Sequence, residues 1–434
     1  MLDGARSVGA ISARNSLVTQ QEAMRYRYHK FNESFEKRTH YIFRYPAKFH
    51  PPVARFLIES FSRAGEHIVD PFCGSGTLLV EGAVAGRQMF GVDIDPIACF
   101  VSSVKTTALV GPSNFREIEA FASYLELSWP AQSGDPWVPR IPNIDHWFEA
   151  HVLREIAIVW QEINKSTLLT GVARNIARCA FLACIRGWSN ADPVPVSGLE
   201  VTKHIREKRS AGFFPDVIRQ YLVALRRTAE AVKSFSEAAA VPKASVYQST
   251  ADEFFRRTRR RFDAIITSPP YLTAVDYYRR HTLEMFWLDQ NMDQPTRWAL
   301  KSNYIGQYQV NRKMVKDHEG VQLNDRTLKI ANKISASSQQ RAGAFLHYYK
   351  SMKSTIMSAS RRLQPGGSII IVLGDGRINN TKIRTSGLLA DEIADVAQLE
   401  ESIKYPVPNR YMTYARRNGA DIGSERILVF RTRK

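Results

Sequence analysis

Two stretches of the chain, far apart in sequence, combine residue types that could do chemistry. The first is Ile68-Val69-Asp70-Pro71-Phe72-Cys73-Gly74-Ser75-Gly76-Thr77. Apolar residues run into an acid, a glycine-rich turn follows, and the segment from Leu78 to Ala83 opens a helical pattern. The stretch predicts a strand, a tight loop and a helix. Gly74 and Gly76 carry no Cβ to block a ligand lying against the backbone, and the free N–H groups at the helix start face whatever sits there. Such a turn can be purely structural, but Gln88 to Val92 then reads as a second strand ending at Asp93. A nucleotide-binding sheet places a carboxylate for ribose hydroxyls about there. The second stretch is Thr267-Ser268-Pro269-Pro270-Tyr271, delivered by the apolar run that ends at Ile266. Its two prolines fix a turn that carries a hydroxyl, a carbonyl and an aromatic ring. Taken alone it could be no more than a rigid loop with an aromatic anchor. In an open α/β sheet, however, ligands bind at the carboxyl ends of strands, so both turns would meet in one crevice.

The glycine stretch resembles motif I of the amino-methylating nucleic-acid methyltransferases. Tyr45-Pro46-Ala47-Lys48-Phe49-His50-Pro51 is similar to their motif X, and Thr267-Ser268-Pro269-Pro270-Tyr271 to their motif IV. The segment from Ser268 to Leu288 further resembles site-specific DNA methyltransferases. The resemblance implies an α/β fold with a Rossmann-like, seven-stranded methyltransferase sheet, and S-adenosyl-L-methionine as cofactor. It places Lys48, Phe49, Asp70, Phe72, Gly74, Gly76, Thr77, Asp93 and Asp252 around that cofactor. For Lys48 and Phe49 the alternative is packing against a strand; for Asp252, which would meet the adenine amino group, it is capping a helix. Of the two acids after the second strand, Asp93 matches the family's ribose ligand, whereas Asp95-Pro96 looks like an N-cap.

The same resemblance assigns catalysis to Ser268, Pro269, Pro270 and Tyr271. An exocyclic amine on a base is a poor nucleophile because its lone pair is delocalised into the ring. Ser268 Oγ and the Pro269 carbonyl would accept hydrogen bonds from it and expose that lone pair to a sulfonium methyl, with Pro270 holding the turn and Tyr271 stacking on the base. A duplex base reaches such a pocket only by leaving the helix. Ser in the first position of this motif accompanies cytosine-N4 methylation more often than adenine-N6. Carbon-5 methylation would need a thiol that in its family follows a proline, and none of the four cysteines does. An RNA guanine-N2 methyltransferase and a non-catalytic nucleic-acid-binding protein are the competing readings. The favoured partner is double-stranded DNA, with RNA not excluded and a cognate restriction endonuclease a further expectation.

Composition agrees with a polyanionic partner: the chain carries a formal charge of +18 with 60 Lys and Arg against 42 Asp and Glu. No apolar run approaches the ~18 residues of a membrane span. Cysteine spacing offers neither a disulfide framework nor a metal site, which predicts a reduced, cytoplasmic, nucleoid-associated setting.

Organisation follows from where strand and helix patterns alternate. Residues 1–44 are an arm of interleaved basic and aromatic residues; 45–104 hold the cofactor half. Long helical patterns over 105–244 interrupt the alternation and predict a large helical insertion, a candidate target-recognition region. Within it, Lys203, His204, Arg206, Lys208 and Arg209 precede Phe213 and Phe214, a pattern suited to a groove or simply solvated. The catalytic strand and loop occupy 245–288, a polar second insertion 289–342, and the closing strands 343–434.

Overall fold

The computed structural model describes residues 38–46, 48–109, 113–129, 135–193, 199–241, 243–272, 277–289, 292–307, 320–378, 381–406 and 424–432. The basic arm from Arg25 to Lys37, and Tyr308, Arg312, Lys313 and Lys316 of the second insertion, lie outside these residues. The first regular helix, α1 (Pro51–Phe61), starts on two prolines whose missing N–H groups a helix start leaves unbonded anyway. It buries Val53, Phe56 and Leu57 in a core shared with the central strands.

The sheet has seven strands: β1 (His67–Asp70), β2 (Gln88–Asp93), β3 (Ser245–Gln248), β4 (Phe262–Thr267), β5 (Leu363–Gly374), β8 (Ala397–Pro406) and β9 (Ser424–Thr432). Their order is β3-β2-β1-β4-β5-β9-β8. Every pairing from β3 to β5 is parallel, while β9 runs antiparallel to both β5 and β8. The strand order reverses between β1 and β4, so the carboxyl ends of these two neighbours flank the switch point where such sheets bind ligands. β1 and β4 are buried almost throughout, as expected of central parallel strands covered on both faces.

Helix α2 (Thr77–Val84) follows β1, and α3 (Pro96–Lys105) follows β2. Asp95 caps α3, its Oδ1 accepting from Ile97 N and Ala98 N. The insertion is then helical, as its sequence predicts: α4 (Ser113–Ser128), α5 (Ile144–Trp147), α6 (Ala150–Lys165), α7 (Gly171–Trp188), α8 (Lys203–Ser210) and α9 (Val217–Ala238). After β3 come α10 (Ala251–Arg257), and beyond β4 α11 (Tyr277–Arg280) and α12 (Thr282–Leu288). The insertion shares one apolar core with Ile97, Val101 and Val104 of α3 and Leu283, Phe286 and Trp287 of α12, so it is seated directly beside the cofactor half.

The second insertion departs from expectation. Polar in sequence and without a clear helical pattern, it contains α13 (Gln294–Ser302), α14 (Asp325–Ser335) and the start of α15 (Gln339–Ser360). Asp293, Asn324 and Ser338 cap these helices through side-chain acceptors, which offset the weak apolar pattern. Gly374-Asp375-Gly376 leads from β5 into a hairpin, β6 (Gly376–Ile378) with β7 (Thr381–Ile383), ahead of α16 (Thr385–Glu392). β8 was not foreseen: it is an edge strand carrying Glu400, Glu401 and Lys404, a polarity that protects edges and masks them in sequence. Among the described residues no helix is long and apolar enough to cross a membrane.

Candidate active site

The loop after β1 forms a cradle. Gly74 (φ +49°) and Gly76 (φ +76°) adopt the left-handed backbone that side chains disfavour. Gly74 N donates to Asp93 Oδ2 at 2.8 Å, and Asp93 Oδ1 accepts from Asp95 N at 2.9 Å, so the ends of β1 and β2 are joined through one carboxylate. Burial, reinforced by the neighbouring Asp95 charge, pushes the Asp93 carboxyl up to about 7. Ser75 Oγ and Thr77 Oγ1 are buried and make no hydrogen bond within the described residues. Unpaired hydroxyls at a helix start are costly unless a polar ligand satisfies them.

The second turn closes on the first. Thr267 Oγ1, at the end of β4, donates to Asp70 Oδ1 at 2.6 Å across 197 residues of sequence. Asp70 also accepts from Phe72 N at 3.1 Å, and its burial raises its carboxyl to about 7. A single cavity results. Its walls include Asp70, Phe72, Gly74, Ser75, Thr77 and Asp93 from the cofactor half. Ser268 and Pro270 from the proline-rich turn face the same space, as do Lys48 and Phe49 from the segment before α1.

Lys48 Nζ lies 3.5 Å from the centre of the Tyr41 ring and donates to His40 O at 3.0 Å. Burial lowers its ammonium to about 7, with Arg227 adding repulsion. Cys73 packs against Gly91, where a Cβ would approach its Sγ to 2.9 Å. Burial pushes that thiol well above its ordinary value, so it is a packing residue, as its position in the loop predicts.

Four expected positions stand elsewhere. Asp252 is not in the wall: its carboxylate binds Arg256 Nε at 3.1 Å and the Ser358 hydroxyl, while Ser249, Thr250 and Ala251 face the cavity instead. The cap of α10 is Thr250, which accepts from Glu253 N, so Asp252 is neither the cap nor the cavity acid. Gly76 lies behind the cradle, where a Cβ would meet Ser102 Cβ at 2.7 Å. Pro269 is buried under its turn. Tyr271 packs against the β5 side of the core and is not part of the cavity wall, its buried hydroxyl lying within electrostatic reach of Glu425 and Ser268.

Other aromatics occupy that wall. Tyr45 and Tyr277 stack with centroids 6.0 Å apart and an interplanar angle of 26°, and both face the cavity beside Asn303, Tyr304 and Ile305 of the second insertion. The Tyr304 hydroxyl is buried within electrostatic reach of Asp93 and Asp95 but closes a standard hydrogen bond with neither. Beneath Tyr45, His281 Nδ1 lies 2.8 Å from Asp95 Oδ2, both groups buried. Sequence reasoning passed over these tyrosines because no local spacing ties them to one another; Tyr45 and Tyr277 meet only through the tertiary fold.

Residues 11–102 match a family model described as DNA methylase. Over 381 residues the chain is 25% identical to the type II methyltransferase M.MvaI of Kocuria varians, covering 83% of this chain and 82% of that protein. Along most of its length the chain is thus similar to DNA methyltransferases. A second such relative, the type II methyltransferase M.BsoBI of Geobacillus stearothermophilus, is 24% identical over 296 residues, 63% of this chain and 57% of that protein. A shorter match, 43% over 54 residues, links it to the tRNA (guanine(10)-N2)-dimethyltransferase of Methanothermobacter thermautotrophicus, covering 12% of this chain and 16% of that one. The methyl donor of this family is S-adenosyl-L-methionine. The cavity fits it: unpaired Ser75 and Thr77 hydroxyls, glycine backbone open to close approach, and a carboxylate at the end of β2 are the groups an amino-acid nucleoside requires.

Proposed function

We propose that the chain transfers the methyl group of S-adenosyl-L-methionine to an exocyclic amino nitrogen of a base in duplex DNA, with cytosine N4 favoured and adenine N6 the alternative. The observation that carries this reading is the shared cavity: Ser268 and Pro270 face the same space as Gly74, Ser75, Thr77 and Asp93. When bound, the donor supplies an electrophilic sulfonium methyl. In this reading Ser75 and Thr77 engage its amino-acid end, Asp93 accepts from its ribose hydroxyls, and Lys48 and Phe49 border it. Ser268 Oγ and the Pro269 carbonyl accept from the target amine, fixing the nitrogen and its lone pair. Pro270 holds the turn rigid. A base extruded from the duplex would lie against the Tyr45 and Tyr277 rings.

Tyr271 takes a different role from the stacking one its motif suggests. Its hydroxyl, within electrostatic reach of Glu425 and Ser268, would orient the serine Oγ toward the amine once substrate is bound. The preference for cytosine rests on serine at the first position of the turn. The helical insertion, 105–244, is proposed as the target-reading region and 289–342 as a cover over the cavity, since Asn303 to Ile305 already form part of its wall. The type II class of the relatives supports a cognate restriction endonuclease as partner.

The second reading, an RNA guanine-N2 methyltransferase, has the short tRNA-enzyme match in its favour. Methyl incorporation from labelled donor into unmethylated duplex DNA and into total tRNA, followed by nucleoside chromatography, separates the two. N4-methylcytosine in DNA is the expected product; label confined to guanine in tRNA would sink the proposal. Ser268→Ala should lower turnover ~10²-fold while donor binding by calorimetry persists.

A further inference from the structure

The helical insertion carries one feature that neither its core nor the cavity uses. Helix α8 exposes Lys203, Arg206 and Lys208 and is anchored by buried Ile205. It ends in a fixed turn: Gly212 (φ +78°) donates to Arg209 O at 3.0 Å, and Phe213 N donates to Lys208 O at 3.0 Å, the pattern of a glycine C-cap. Arg209 locks that turn from beneath. Its guanidinium donates to Phe213 O at 2.8 Å, to Asn190 Oδ1 at 3.0 Å and to Ser189 O at 3.0 Å, tying the turn to the end of α7. Phe214 rests edge-on against His151, with centroids 4.5 Å apart. Phe213 remains 68% exposed.

A ring held in water by a backbone this constrained is not a loop tip sampling conformations. It is a presented apolar group at the end of a helix that exposes Lys203, Arg206 and Lys208 and one acid, Glu207, 3.6 Å from Lys203, and so is complementary to a partner with a phosphate exterior and a stacked apolar interior. The feature is also tied to a helix that lines the cavity. Arg279 Nη2 donates to Leu199 O at 3.1 Å, and Arg186, which holds Asp192 O, reaches Arg280 O at 3.5 Å. Asp192 in turn receives Thr202 Oγ1 at 2.7 Å, just before α8. Arg279 and Arg280 belong to α11, whose first residue, Tyr277, forms part of the cavity wall.

We propose that α8 and its C-terminal turn are a duplex-DNA contact, with Phe213 entering the base stack to fill space left by an extruded base and Lys203, Arg206 and Lys208 meeting phosphates. This rests on the reading of duplex DNA as substrate. Apolar wedges of this kind stabilise unstacked steps, and unstacking is the step that single-stranded substrate does not require.

The test uses the full chain with unmethylated genomic DNA, native and heat-denatured, as methyl acceptors. Phe213→Ala should slow incorporation into native DNA ~10-fold, as expected if the wedge offsets the cost of unstacking, and leave incorporation into denatured DNA within ~2-fold. A variant combining Lys203→Glu, Arg206→Glu and Lys208→Glu should weaken binding to a mixed-sequence fluorescent duplex by at least ~10-fold and reduce the salt slope by about 3. Leu127→Ala, at a still more exposed apolar site on α4, serves as control and should change neither. Thermal melting and donor calorimetry confirm that each variant is folded. Normal rates on native DNA for Phe213→Ala, equal losses on both acceptors, or normal duplex binding by the charge-reversed variant would each overturn the proposal while leaving DNA methylation intact. Unaltered protein that methylates tRNA and no DNA would instead overturn the substrate reading, and this proposal with it.

Discussion

At the scale of single residues, Tyr271 and Asp93 show how position decides chemistry. The Ser-Pro-Pro-Tyr sequence suggests a stacking ring, but Tyr271 packs outside the cavity wall, with its hydroxyl within electrostatic reach of Glu425 and Ser268. Glu425 is held by the Tyr405 hydroxyl and by the register of β9 against Gly374 and Tyr405, at the sheet edge that delivers Ser268. Substitution separates the two roles. Tyr271→Phe keeps a ring and removes the hydroxyl, so a positioning role predicts a fall in kcat of ~10-fold with donor affinity unchanged, the loss of one oriented hydrogen bond. Activity retained in Phe and lost in Ala would restore stacking as its function. Asp93 makes a pH prediction. Its carboxyl is raised to about 7, so it is mostly protonated at pH 6 and mostly ionised at pH 8. If ribose hydroxyls donate to the ionised form, donor affinity rises through pH 7, by about tenfold between those limits. Calorimetry at the two pH values tests this, and Asp93→Asn should flatten the profile. Asp70 titrates in the same range but is committed to Thr267 and Phe72 N.

At the scale of elements, the two turns were legible because their chemistry is local. Glycines, prolines and acids at strand ends announce β1 to α2 and β4 to its loop within a few residues each. The helical insertion was legible from periodicity. Asp252 misled because an acid soon after a strand looks alike whether it faces the cavity or the next helix; one residue of register turned it toward Arg256 and Ser358. The aromatic wall was illegible because Tyr45, Tyr277 and Tyr304 come from three separate segments that only the folded chain gathers. Gly76 reads in sequence as a ligand contact; in the fold its open side faces Ser102. Its left-handed backbone and the 2.7 Å approach to Ser102 on α3 predict that Gly76→Ala costs about 2 kcal/mol or more in stability, combining strain and overpacking. Urea unfolding measures it. An unchanged midpoint with lost donor binding would place Gly76 back among the ligand contacts.

At the scale of the whole molecule, a buried carboxylate on the cavity helix links three segments. Glu81 of α2 receives Arg38 Nη1 at 2.9 Å, His40 Nε2 at 2.8 Å and Arg55 Nε at 2.7 Å, from the segment before the first helix and from α1. Burial alone would raise the Glu81 carboxyl, but His40, Arg55 and Arg38 outweigh it and hold it near 2. Burial lowers the His40 imidazole to about 4, so at neutral pH it is uncharged and donates through Nε2. Both shifts act in the same direction. The unfolded chain takes up a proton on histidine below about 6.5 and on glutamate below about 4.5, before the native state does, so stability falls as pH falls through each window. Glu81→Gln should cost about 3 kcal/mol at pH 7, because the Arg38 and Arg55 guanidinium groups lose their counter-charge while partly desolvated. That gap should hold above pH 4.5 and narrow toward pH 3, where the native carboxylate's advantage over the unfolded one is being lost. Denaturant unfolding of both proteins at pH 7, 5 and 3 measures it. A gap that stays constant to pH 3 would mean that packing around residue 81, and not its charge, joins the cofactor helix to α1 and the preceding segment.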